Sequence, residues 1–121
     1  MKVIFLDTLK ALKSDHPEIE TFGLEEIGRL KVLVDQTEAK LVISKRGLNT
    51  VTLRKLYELF PKNNIPYWIG VSEPCDSCDD YWCETGSWLI KNDPMNEFKE
   101  SAVIEERITD EFVAELIKIL N

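Results

Sequence analysis

Two stretches of this chain carry side chains that could do chemistry. In "MKVIFLD" a lysine and four apolar residues lead to Asp7. This reads as a buried strand that delivers a carboxylate at its carboxyl end, where parallel sheets build their sites. The chain then runs Thr8-Leu9-Lys10, with no second carboxylate and no glycine. The other stretch is "SEPCDSCDDYWCETG". It gathers Cys75, Cys78 and Cys83 with Glu73, Asp76, Asp79, Asp80 and Glu84 around Tyr81 and Trp82.

Three chemistries fit that second stretch. Cys75-x2-Cys78 with Cys83 offers three thiolates for zinc, but a structural site takes four ligands and the one histidine, His16, lies far off in sequence. A redox pair at Cys75 and Cys78 needs a lowered thiol pKa, whereas five acids would raise it. An acidic loop with an aromatic anchor would use Tyr81 and Trp82 as rigid contact area and the carboxylates to steer a basic partner. A plain loop with buried cysteines is the fourth alternative.

The elements that must position these residues follow from hydrophobic periodicity. Strand-like runs occur at Lys2–Asp7, Lys40–Ser44, Tyr67–Val71 and Ser87–Lys91, with a weaker fifth at Ala102–Glu105. The runs VIFL and LVI are continuous, as in strands covered on both faces. Between them, Leu24, Ile27, Leu30 and Val34 recur at helical spacing, and Leu53, Leu56, Tyr57 and Phe60 share a helix face behind an N-cap at Asn49 or Thr50. Pro61 fits the end of that helix. A last helix opens at Thr109, with Asp110 and Glu111 near its positive dipole end and Val113, Leu116, Ile117 and Leu120 as its buried stripe. Alternating strands and helices predict one α/β domain over residues 1–121: three layers, Rossmann-like, a mainly parallel sheet of about five strands, no separate cap domain, and an insertion at 73–86. Asp7, Ser44, Ser72 and the Lys91–Asp93 turn would then share one sheet edge.

A strand ending in Asp7, a second ending in Ser44 and a late strand running into "WLIKNDPM" resemble the haloacid dehalogenase-like superfamily. "FGLEEIGRLKVLVDQTEAKLVIS", "IPYWIGVSEP" and "ITDEFVAELIKIL" resemble its small domain in multidomain RNA-repair proteins. The resemblance implies a phosphoryl-transfer chemistry: Asp7 as nucleophile, Ser44 holding phosphate, a general acid/base two residues after the nucleophile, and an acidic pair after the fourth strand holding magnesium. Leu9 stands at the acid/base position and cannot transfer a proton. Lys10 replaces the usual glycine, and Lys91, Asn92 and Asp93 align with the metal-binding acids. Losing a general acid/base costs about 10²–10⁴ in rate. Asp7, Ser44, Lys91 and Asp93 are therefore expected to be a vestigial site, with the Lys91 ammonium beside Asp7 in place of a metal. No cofactor is expected; magnesium belongs only to the alternative, a phosphatase or nucleotidase using Asp7.

Composition sets the partner class. The net charge is -7, and it is lopsided: residues 1–62 carry 11 basic and 9 acidic side chains, residues 63–121 carry 4 and 13. An acidic face repels nucleic acid and attracts a basic protein. Apolar runs of four to five residues cannot span a membrane, and Asp7 ends the first run too early for a signal peptide, which together predict a cytoplasmic protein. The expected function is that of a non-catalytic binding protein, of the immunity-protein or antitoxin kind, that blocks a basic nuclease toxin through Asp76, Asp79, Asp80, Tyr81, Trp82 and Glu84. A module binding a phosphorylated ligand through Ser44, Lys45 and Arg46 is a further alternative.

Overall fold

Every strand among the described residues runs in the same direction. The computed structural model describes residues 1–14, 22–74 and 81–121. Within them β1 (Lys2–Leu6), β2 (Lys40–Ser44), β3 (Gly70–Ser72) and β4 (Glu100–Ile104) form one parallel sheet in the order β3-β2-β1-β4. The helices are α1 (Thr8–Ala11), α2 (Leu24–Thr37), α3 (Thr50–Lys62), α4 (Tyr81–Asn92) and α5 (Asp110–Leu120).

The strand order dictates the layers. The chain steps outward from β1 to β2 to β3, so right-handed crossovers put α2 and α3 on the same face. It then returns across the sheet to β4, and the same hand puts α4 on the opposite face. The core divides accordingly. Ile4, Leu6, Leu41, Ile43 and Ile104 pack under α2, α3 and α5, while Val3, Phe5 and Val42 pack under Trp88 of α4. The sheet is thus the middle of three layers, with four strands rather than five.

Local chemistry sets the ends. Asn49 caps α3, its side chain accepting from Thr52 N–H at 3.0 Å while the Thr52 hydroxyl accepts from Asn49 N–H at 2.9 Å. Thr109 caps α5. The α3 helix continues through Pro61 to Lys62 rather than stopping there.

Two strand assignments change. Ser87–Lys91 is helix, the last half of α4. Tyr81, Glu84, Thr85 and Trp88 turn one side of that helix inward at i, i+3, i+4 and i+7 spacing. The third strand is shorter and later than Tyr67–Val71, because Trp68 packs among Tyr57, Phe60 and Tyr67 instead of joining the ladder. Gly70 opens β3 because Trp88 lies flat on it: a Cβ there would come within 2.8 Å of the indole nitrogen.

Candidate functional site

The chain turns back between β1 and β4, which makes their carboxyl ends a topological switch point; there Tyr81 of α4 covers Asp7. Asp7 follows β1 directly and is only 3% exposed. Its Oδ1 accepts from Lys10 N–H at 3.3 Å and caps α1. Its Oδ2 accepts from the Tyr81 hydroxyl of α4. The Tyr81 pKa is raised far above the usual tyrosine value, first by burial, then by this hydrogen bond and the Asp7 charge, with the Arg46 cation acting against them.

Arg46 lies 4.4 Å from the Tyr81 ring centre, a cation–π stack. Its Nε bonds Glu84 Oε1 at 2.9 Å. Glu84 is 1% exposed, and its other oxygen accepts from the Ser72 hydroxyl. Ser44 accepts from the Arg46 amide at 3.2 Å and so shapes the loop that presents the guanidinium. Asp7, Tyr81, Arg46, Glu84 and Ser72 form one network: Tyr81 stands between the Asp7 carboxylate and the Arg46 guanidinium, Arg46 pairs with Glu84, and the Lys10 ammonium lies 5.8 Å from the same ring centre. Beside it, the buried Thr8 hydroxyl has no hydrogen-bond partner among the described residues.

The loop after β2 is closed over by Leu9. Gly47 sits there at φ +69°, and a Cβ on it would come within 2.6 Å of Leu9 Cδ1. The second carboxylate of a phosphoryl-transfer site is thus replaced by an apolar side chain packed on glycine. Lys45 is also taken, by Glu73 at 3.3 Å. The two cations behind Ser44 each have an acid partner, which counts against a phosphate seat.

Asp7, Ser44 and Ser72 meet at this edge, as expected. Lys91 and Asp93 do not. Lys91 lies ten residues along α4 from Tyr81, about 15 Å at the helical rise, at the opposite edge of the sheet. Asp93 accepts from the amides of Glu97 at 2.8 Å and Phe98 at 2.9 Å and shapes the turn into β4. The acids that follow the fourth strand are instead Glu105 and Glu106, both exposed.

A magnesium site of the expected kind does not fit these residues. Asp7 is already engaged on both oxygens, Leu9 supplies no ligand, and among the described residues no group of three His, Cys, Asp or Glu side chains could hold a metal.

Of the acidic stretch, Trp82 is 83% exposed, but Glu84 and Tyr81 turn inward and belong to the network rather than to an open surface. Asp76, Asp79, Asp80, Cys75, Cys78 and His16 lie outside the described residues. Cys83 is disulfide-bonded, so its sulfur is no thiolate ligand for zinc. Among the described residues no helix is long and apolar enough to cross a membrane.

Tyr81 was missed as the partner of Asp7, and so was the Arg46–Glu84 pair beyond it. The signal was there in part, in the helical spacing that points Tyr81 and Glu84 the same way. No family model, no curated protein and no solved structure matches this chain.

Proposed function

We propose that this chain is a haloacid dehalogenase-like protein that has lost catalysis and works by binding a basic protein, in the manner of an immunity protein or antitoxin against a nuclease-type toxin. The observation that carries the reading is the occupancy of Asp7. A nucleophile must reach phosphorus, and here Asp7 is 3% exposed, one oxygen capping a helix and the other covered by the Tyr81 hydroxyl. With Leu9 at the acid/base position, two requirements of the chemistry fail at once.

The binding half of the reading rests on charge and exposure. Trp82 stands in solvent on the first turn of α4, following the acids at 76, 79 and 80 in sequence. The half of the chain that carries it, residues 63–121, has 13 acidic side chains against 4 basic ones. A nuclease cleft must attract phosphates, so an acidic face mimics its substrate and associates fast.

Two assays test this. The purified protein with magnesium and p-nitrophenyl phosphate is expected to show no turnover above background; a rate on the order of 1 s⁻¹, abolished by Asp7→Asn, would restore the phosphatase alternative. With a basic partner captured at low salt and then identified, Trp82→Ala should speed dissociation by about 2 kcal/mol. Asparagine at 76, 79 and 80 should slow association and flatten its salt dependence. An unchanged on-rate would remove the acidic stretch from the interface.

A further inference from the structure

The second sheet edge is open. β4 has five residues, as many as the central strands β1 and β2, whereas β3 at the other edge has three. A short strand is a common protection for an exposed edge; β4 lacks it and contains no proline or lysine. The orientation of its backbone is fixed by one bond. Asp7 N–H donates to the Ile104 carbonyl at 2.9 Å, with Leu6 opposite Ile104. A strand residue points its own N–H and C=O to one side, and successive residues alternate. Ile104 and Ala102 therefore face β1, while Ser101 and Val103 turn their N–H and C=O away from the sheet. Among the described residues no strand lies on that side.

We propose that β4 pairs with β4 of a second copy of this chain, antiparallel about a two-fold axis at Ala102, joining two four-stranded sheets into one. In this register Ser101 faces the second copy's Val103. Both residues turn outward, so they exchange both backbone hydrogen bonds, and the axis repeats the exchange. Lys99 and Glu105 flank the strand, Lys99 donating its N–H to the Met1 carbonyl at 3.0 Å, and the same register brings the Lys99 side chain of each copy toward Glu105 of the other. Both side chains are exposed, and neither makes an ion pair among the described residues. The neighbouring registers are worse. An axis at Val103 brings Glu100 toward Glu106, and an axis at Ser101 moves Glu105 away from Lys99; like charges directly opposite are destabilising. A two-fold axis of this kind leaves the two Asp7 sites at opposite ends of the joined sheet.

Sedimentation velocity of the whole chain over a concentration series tests the pairing. The parent is expected to be a reversible dimer. Lys99→Glu and Glu105→Lys, each turning two attractive pairs into repulsive ones, should each weaken it by about tenfold. The double variant should recover the parent's affinity. Ser101→Pro removes an N–H that points away from the sheet, a place where an edge strand tolerates proline, and should abolish the dimer while the far-ultraviolet circular dichroism stays unchanged. A parent that is monomeric at about 1 mM overturns the proposal. So does a dimer indifferent to these substitutions, or a charge swap that fails to restore association.

Discussion

Two glutamates are buried in the first turns of two helices, and they are neutralised differently. Glu26 of α2 is 2% exposed, and its Oε2 meets Arg29 at 3.1 Å and Arg107 at 3.0 Å. One carboxylate has two guanidiniums, and Arg29 reaches on to Asp110 at 3.0 Å. This cluster ties α2 to the segment between β4 and α5. Glu84 of α4 has one guanidinium, which serves the same neighbourhood as Asp7, and hydroxyls of Ser72 and Tyr81 stand where further cations would. A buried charge is normally compensated in full. The first cluster obeys that rule and reads as structural. In the second, Glu84 pairs with Arg46 alone, Asp7 is held by the Tyr81 hydroxyl, and the Lys10 ammonium lies 5.8 Å from the Tyr81 ring centre; perturbed sites of this kind concentrate where proteins act.

Glutamine at each position breaks or sharpens the contrast. Glu26→Gln leaves two guanidiniums without their shared anion and should lower the unfolding free energy by about 2–3 kcal/mol. That is below the full cost of a dry pair because both arginines still reach water. Glu84→Gln leaves one guanidinium rather than two without its anion, and its amide can still bond both Arg46 and a reoriented Ser72 hydroxyl, so it should cost less, under about 1 kcal/mol. Urea unfolding of both variants decides; equal losses would erase the distinction.

Tyr81→Phe lies between these in interest and should cost about 1 kcal/mol at neutral pH. Because the folded-state pKa of Tyr81 is raised, its contribution is whole below about pH 10, the ordinary tyrosine value, and is lost as pH rises beyond it. The parent's urea midpoint should therefore fall more steeply between pH 9 and pH 11 (about one unit either side of that value) than the variant's. The smallest effect is a gain. Thr8→Val replaces a buried hydroxyl that has no partner and should raise stability by up to about 1 kcal/mol. A loss there would mean that the hydroxyl is satisfied.

What was readable in advance follows the range of the interactions involved. The strands β1 and β2 announce themselves because VIFL and LVI are buried on both faces, and α5 because a threonine cap precedes a regular stripe. The α4 helix hid behind Trp88-Leu89-Ile90, a run that reads as strand until Tyr81, Glu84 and Thr85 are counted with it. That error moved Lys91 and Asp93 to the wrong end of the sheet and left Glu105 and Glu106 unconsidered. Asp7 and Ser44 were legible because they end recognisable strands. Tyr81, 74 residues from Asp7, and Glu84, 38 from Arg46, were not, because nothing local records which distant side chains converge.

The two covers of the sheet are unequal, and this has a consequence for motion. Among the described residues, the cluster between the sheet and α2, α3 and α5 has twenty buried apolar residues, helix side chains included, and the cluster under α4 has four, Trp88 included. Amide hydrogens of α4 should exchange through an opening well short of global unfolding, while those of β1 and β2 wait for the whole domain. Each such opening withdraws Tyr81 from Asp7 and Glu84 from Ser72 in the same event. The reactivity of those groups is therefore set by the free energy of a detachable layer.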